Sequence, residues 1–377
     1  MKNPFVYGKV ITHKNDFCPR SREEKRIFDN ILGNQNTYLI GERRVGKSSL
    51  AQIVLDNIVK QHKYLTVEVD FRGVASEANI QRIILQAVLR AAKEIRDTEW
   101  VLSLFSKFKP TATPTEDGKM EFSITANLNS SLSGMTLLET FEYIEKINER
   151  NKLVVFFDEF PEILKVENGS NILGQMRSKI QNQNIPYVFA GSHRGEMRNI
   201  FENPDNKYHF YNSATAMNIS KFNVDEIVSF CSSKFLLGNR QVEAGVLDDV
   251  YSLTNGITGD IYQVCHELWD LVEKGPIKHR HVEQAVSDIC ERKNEIYGEI
   301  VSKLSPIQRK GLFGIVLEKG INLITTDFAS KYKMKSKATV KTVVDSFIDK
   351  NILYKKDDKI IFYDPFFYIW LKKKYKI

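Results

Sequence analysis

Gly41-Glu42-Arg43-Arg44-Val45-Gly46-Lys47-Ser48 is the stretch that decides how this chain folds. It fits the pattern of a glycine, four residues and Gly-Lys-Ser, in which a glycine-rich turn leads from a strand into a helix. The flanks supply both elements. Tyr38-Leu39-Ile40 is a short apolar run that predicts a strand, and Lys47 to Lys63 sets Leu50, Ile53, Val54 and Ile58 on one helical face. The residue types suit an anion. Gly41 and Gly46 let the backbone curl so that several N–H groups face one phosphate. The start of the following helix adds the positive end of its dipole. Lys47 brings a point charge for the outer phosphates of a nucleoside triphosphate. The Ser48 hydroxyl suits Mg²⁺, which takes few protein ligands and keeps several waters. Glu42, Arg43, Arg44, Val45 and Ser49 complete the loop expected to line the nucleotide.

Working outward, Tyr64 to Val69 alternates like a strand and ends at Asp70, and Glu77 to Ile95 reads as a helix. Strand, helix, strand, helix predicts an α/β fold, a P-loop NTPase sandwich around a parallel sheet. Residues 106–133 interrupt it. Pro110, Pro114, an Asp117-Gly118 turn and the alternating Met120, Phe122 and Ile124 predict an inserted β-hairpin. A helix over Leu137 to Glu149 then leads to Leu153-Val154-Val155-Phe156-Phe157, a continuous apolar run expected to be a strand buried on both faces. Tyr187 to Ala190 and Ala214 to Ile219 predict the remaining strands.

Asp158 and Glu159 follow directly on that buried strand. Two acids at the carboxyl end of a central strand are costly to bury without a task, and ligands of open α/β sheets bind at that edge. Asp158 is the candidate Mg²⁺ ligand, through a bound water, and Glu159 the candidate base that polarises the attacking water. Ser192 ends the next strand, in Gly191-Ser192-His193-Arg194, and is the candidate sensor of the γ-phosphate; its other reading is a cap of the helix that follows. Arg194 and Arg198 are candidates for an arginine finger, in cis or in trans.

After Asn223 the strands stop. Residues 223–292 read as amphipathic helices, and from 300 onward three helices precede Leu353-Tyr354 and Lys359 to Tyr363 around Asp357-Asp358, the outline of a winged helix. The expected divisions are therefore a core at 1–220, a helical lid at 221–298 and a winged helix at 299–377. The charge is uneven. The whole chain carries 54 Lys+Arg against 47 Asp+Glu, a net of +7, yet residues 301–377 hold 17 against 7 and the other 300 hold 37 against 40. In the third winged-helix helix, from Lys337, Val340, Val343, Val344 and Phe347 face a core while Lys337 and Lys341 share another face. With Lys355, Lys356 and Lys359 on the wing, and Lys372 to Lys374 near the end, the domain suits the phosphates of DNA, without side chains that argue for base readout. A protein partner or self-association is the other reading of the same surface.

Composition narrows the rest. The 377 residues suggest two or three domains, and 42% hydrophobic with 27% charged residues supports a packed core. No run of 18 apolar residues exists, and the first residues lack an apolar h-region, so neither a spanning helix nor a secretory signal is expected. Cys18, Cys231, Cys265 and Cys290 lie far apart, which predicts reduced, buried thiols in a cytoplasmic protein.

Several of these pieces together carry a family likeness. Phe17-Cys18-Pro19-Arg20 with Glu23, GERRVGKSSL from Gly41 to Leu50, FFDEF from Phe156 to Phe160, Ala190-Gly191-Ser192, and Tyr363-Asp364-Pro365-Phe366-Phe367 span nearly the whole chain. In these it resembles the archaeal-type ATPases, P-loop NTPases of the AAA+/STAND neighbourhood with a C-terminal winged helix. The resemblance implies an ATPase core, a helical lid, and a place for Phe17 to Arg20, Arg20 included, beside the adenine. The chain departs from the family where an LYGR-like segment would follow the sensor strand, reading Lys207 to Asn212 instead, and where Gly259-Asp260-Ile261 replaces Gly-x-Pro. Two functions are expected in parallel: an Mg²⁺-dependent ATPase, or a slow nucleotide-gated switch or DNA-binding adaptor with little turnover. GTP remains open beside ATP.

Overall fold

The structure is a computed structural model and describes residues 2–108, 110–114, 120–124, 135–205, 210–356 and 358–377. The Asp117-Gly118 turn, residues 207–209 and Asp357 lie outside the described residues. By their internal contacts the residues form two compact units, Lys9–Ser220, and Met1–Gly8 together with Lys221–Ile377.

The first unit is built on a five-stranded sheet. Its helices and strands alternate as α1 (Ser21–Leu32), β1 (Thr37–Ile40), α2 (Lys47–His62), β2 (Leu65–Asp70), α3 (Glu77–Ala92), α4 (Thr98–Leu104), the hairpin strands β3 (Pro110–Pro114) and β4 (Met120–Ile124), α5 (Leu137–Arg150), β5 (Leu153–Asp158), α6 (Gly169–Ile180), β6 (Tyr187–Gly191), α7 (Arg194–Phe201) and β7 (Thr215–Asn218). The strand order is β2-β5-β6-β1-β7, every pair is parallel, and β3 pairs with β4 antiparallel outside this sheet. The alternation of strand and helix read from the sequence is thus the fold. Parallel strands with helical crossovers must be covered on both faces, and all residues of β1, β5 and β6 are buried.

The burial is largely aromatic. Phe157 meets Phe71 edge-on at 5.2 Å and lies flat against Phe160 at 5.9 Å, and Phe160 continues to Phe189 and Phe210 at 4.8 and 5.6 Å. Offset and edge-to-face pairs at such spacings add to the gain from burial alone. Helix starts are written locally. Thr136 and Glu139 form a reciprocal capping box at the start of α5.

The second unit is helical and then mixed: α8 (Val224–Leu237), α9 (Val246–Leu253), α10 (Thr258–Leu271), α11 (His279–Arg292), α12 (Asn294–Ser302), α13 (Pro306–Leu317), α14 (Thr326–Lys331), α15 (Lys337–Asp349), the antiparallel hairpin β8 (Leu353–Lys356) and β9 (Lys359–Phe362), and α16 (Pro365–Tyr375). Asn223 with Glu226 and Ser305 with Gln308 form the capping boxes that open α8 and α13. The first residues of the chain belong here. Phe5 is buried among Phe235, Tyr262 and Trp269, with ring centroids 4.7, 6.0 and 6.3 Å away. Asn3 Nδ2 donates to His266 O and Asp270 Oδ1, and the Phe5 carbonyl lies 2.7 Å from His266 Nδ1.

In the winged-helix part, α15 buries Val340, Val343, Val344 and Phe347, the stripe predicted by their spacing. Asp364 organises the end of the chain. Its Oδ1 accepts the Phe366 N–H and caps α16, while its Oδ2 accepts from Lys293 Nζ at 3.1 Å and the Tyr297 hydroxyl at 2.7 Å. Burial, then Asp364, raises the Tyr297 phenol above its ordinary range. All four cysteines are free and buried, and burial pushes the Cys290 thiol up to about 11. Among the described residues no helix is long and apolar enough to cross a membrane.

Phe157→Ala should cost about 3–5 kcal/mol, as expected for emptying an aromatic slot in a tight core. Denaturant titration checks it as a fall in midpoint at unchanged slope.

Candidate functional site

The turn between β1 and α2 combines a strained backbone with close approach. Arg44 and Gly46 both have positive φ, +63° and +99°, an alternation of backbone handedness that makes successive N–H groups converge on one point. At Gly41 a Cβ would sit 2.4 Å from the carbonyl oxygen of Ile219, so only glycine fits there. Lys47 is 5% exposed, and its ammonium donates to Gly41 O at 3.0 Å, Glu42 O at 2.9 Å and Ser192 Oγ at 3.4 Å. Burial lowers its pKa to about 8, opposed by Glu159 and Asp158. This is a cation short of negative partners, placed where a turn of the chain bares N–H groups.

Across the sheet edge, the Ser48 hydroxyl donates to Asp158 Oδ2 at 2.7 Å, and the Glu159 N–H reaches Asp158 Oδ1 at 3.0 Å. Asp158 is raised chiefly by burial, with Glu159 and Asp70 adding repulsion and the Ser48 hydrogen bond opposing. Asp70 is a third acid at this edge. It ends β2 directly opposite Asp158 in the ladder, and Arg72 grips both its oxygens, with Nε 3.0 and 2.8 Å away. The sequence reading marked Asp70 only as a strand end. The available signal was that two strands both finish in an aspartate, but their pairing appears only in the folded sheet. Among the described residues no group of three or more His, Cys, Asp or Glu is arranged to hold a metal. A hydroxyl and one carboxylate, held together and short of positive charge, fit Mg²⁺ bound mainly through phosphates and water.

Strand β6 lies between β1 and β5, so Ser192 stands between the loop and the acid pair. Its N–H donates to Glu159 Oε2 at 3.0 Å and its hydroxyl to Glu159 Oε1 at 2.5 Å. Glu159 itself adopts φ +49°. Helix α7 takes His193 as its N-terminal cap and receives no side-chain cap, so the capping reading of Ser192 does not hold. Arg194 donates to Asn218 Oδ1 and contributes to lowering the Lys47 pKa, whereas Arg198 pairs with Glu202 at the surface.

The remaining loop candidates divide. Arg43 and Arg44 are exposed, Val45 is buried, and Glu42 is half-buried. Ser49 is buried and its hydroxyl accepts the Ile11 N–H at 3.0 Å, so it secures the opening segment. The Arg20 guanidinium is likewise buried, and its Nη2 donates to two carbonyls, Val45 O at 3.1 Å and Ser220 O at 2.8 Å.

With this geometry in hand, comparison with known structures identifies the architecture. The Walker-type ATPase of Pyrococcus abyssi superposes with a TM-score of 0.69 at 19% identity, covering 98% of this chain and 99% of that one. The Aeropyrum pernix ORC2 protein, in its ADPNP-ADP complexes, gives 0.57 at 12% identity over 100% and 99% of the two chains. The Aeropyrum pernix ORC1 protein in complex with DNA gives 0.54 at 13% identity over 98% and 95%. Residues 295–373 match the family model described as "Probable winged helix domain". No curated protein matches the sequence. The chain has the fold of the AAA+ P-loop NTPases, followed by a C-terminal winged helix.

Two glycine variants should move stability in opposite directions. Gly41→Ala forces a methyl against the Ile219 carbonyl and should destabilise by about 1–3 kcal/mol. Gly174→Ala, inside α6 with nothing within 4 Å, should stabilise by about 0.5–1 kcal/mol. Thermal unfolding of the two proteins checks both signs.

Proposed function

We propose that this protein binds ATP with Mg²⁺ at the carboxyl edge of its sheet and hydrolyses it slowly, as a gate for a conformational change. The observation that carries this reading is the 2.7 Å pair of Ser48 and Asp158. It joins the phosphate-loop helix to the acid pair, with Lys47 and Glu159 alongside. Lys47 and the loop N–H groups of residues 41–48 would neutralise the phosphates. Ser48 and Asp158 would hold Mg²⁺, which would supply charge neutralisation for the phosphates. Glu159 would orient and polarise the attacking water, and Ser192 would meet the γ-phosphate. GTP would suit the same phosphate chemistry.

The switch reading is favoured by one observation. Both carboxylate oxygens of Glu159 already accept hydrogen bonds from Ser192. A base held this way must be released before it can take a proton, which argues for low turnover without a partner. Residues 221–298 would serve as the lid and 299–377 as the output module. Lys333 and Lys335 just before α15, Lys337 and Lys341 in its first turns, and Lys355, Lys356 and Lys359 on the hairpin are exposed. The ORC1 neighbour was solved with DNA, and such a lysine surface suits duplex phosphates here as well. A protein partner with an acidic face would suit it too.

Titration with a fluorescent ATP analogue, with and without Mg²⁺, tests the core of the proposal. Lys47→Ala should lose binding, and unchanged affinity would remove the assignment. Glu159→Gln should bind normally and turn over about 10²–10⁴-fold more slowly. Unstimulated wild-type turnover should fall below about 1 s⁻¹, at the slow end for enzymes; fast turnover would count against the switch. For DNA, the double reversal Lys337→Glu and Lys341→Glu should lower duplex affinity and flatten its dependence on salt, by a slope of about 0.9 for each lost phosphate contact.

A further inference from the structure

Arg20 is buried behind the phosphate loop, where its contacts are to main-chain carbonyls and a carboxylate. It is 4% exposed. One of its nitrogens, Nη2, donates to Val45 O inside the phosphate loop and to Ser220 O. Ser220 is the last residue of the first unit, after which the chain passes into the second. The other terminal nitrogen pairs with Glu23 Oε1 at 3.6 Å, which anchors the guanidinium at the start of α1.

The Val45–Gly46 bond is trans, since no cis peptide occurs among the described residues. In a planar trans peptide the C=O and N–H point in opposite directions. Holding the Val45 carbonyl on Arg20 therefore directs the Gly46 N–H away from Arg20. A second contact couples the same two segments, because Gly41 packs against the Ile219 carbonyl, and the Ile219 N–H donates to Ile40 O at 2.7 Å. The exit segment 219–220 is thus tied to the loop at its first glycine and again at its fifth residue.

We propose that Arg20 is a positioning residue: it sets the Gly46 N–H for the nucleotide's β-phosphate and, through the same nitrogen, transmits the state of the loop to Ser220. This rests on the nucleotide-binding reading above and adds the route by which occupancy leaves the site. The two N–H bonds of this nitrogen are fixed in one rigid plane, so a shift of the Val45 peptide on phosphate binding that turns the guanidinium also moves the N–H held on Ser220 O. Arg suits this place because its planar fork fixes the direction of each N–H, which a lysine ammonium does not.

The full-length protein decides the matter in two measurements, each on wild type, Arg20→Ala and Arg20→Lys. The first is affinity for ADP and for AMP. Arg20→Ala should weaken ADP at least tenfold and leave AMP unchanged, because AMP has no β-phosphate; equal losses for both would assign Arg20 to the adenine and overturn the proposal. The second is backbone hydrogen exchange at 45–47 and 219–222. In wild type, saturating ADP should slow exchange in both segments. In Arg20→Ala both should exchange faster without nucleotide, and 219–222 should stop responding to ADP even at saturation. A persisting response there would overturn the coupling. Arg20→Lys should fall between the two, and stands in if Arg20→Ala fails to fold. If wild type binds neither nucleotide, the ATP reading fails on its own, and the exchange comparison of the ligand-free proteins still decides whether Arg20 braces loop and exit.

Discussion

A backbone that turns its N–H groups toward an anion turns its carbonyls the other way, and carbonyls turned inward to the protein need donors. In this protein two cations meet that need. Lys47 holds the carbonyls of Gly41 and Glu42, and Arg20 holds that of Val45. The loop is therefore shaped from behind as much as from its concave side. The positive φ at Arg44 costs conformational energy, and these charge-assisted bonds are strong enough to offset it. Lys47 serves the loop and faces the acids at once, which is why burial depresses it while Glu159 and Asp158 pull it back.

The rest follows from strand order. Residues 48, 158 and 192 are far apart in the chain, yet they meet because parallel strands all finish at one edge and β6 lies between β1 and β5. Placing Ser192 in the middle gives a single hydroxyl access to Lys47 on one side and Glu159 on the other. Asp70 extends the line of acids by one strand. Burial first, and then the neighbouring Glu159 and Asp70, raise Asp158, so the edge is prepared for positive charge.

Much of this was legible before folding. The phosphate loop and the acid pair are contiguous residues at strand ends, so their chemistry is written in one place. The α15 stripe of Val340, Val343, Val344 and Phe347 follows from helical period alone. What stayed hidden depends on partners without residue identity or on register. Arg20 acts on two backbone carbonyls, and no pattern of side chains announces that. Asp70 matters only once β2 is paired with β5. Ser49, one residue past the loop signature, reads as part of the nucleotide lining, and its hydroxyl proves to hold Ile11. Phe5, in the short run Pro4-Phe5-Val6-Tyr7, gives no periodic signal at all.

That Phe5 slot has a topological consequence. Residues 2–8 complete the hydrophobic interior of the helical unit, so the second half of the chain is not a self-contained piece of sequence. Severed after Ser220, residues 221–377 would leave an aromatic-lined hole where Phe5 sits. A faithful isolated version would have to be a circular permutant, with the opening peptide spliced to that fragment. The first unit, by contrast, is one continuous insertion between residues 8 and 221, and it can in principle be exchanged as a cassette without touching the core of its host.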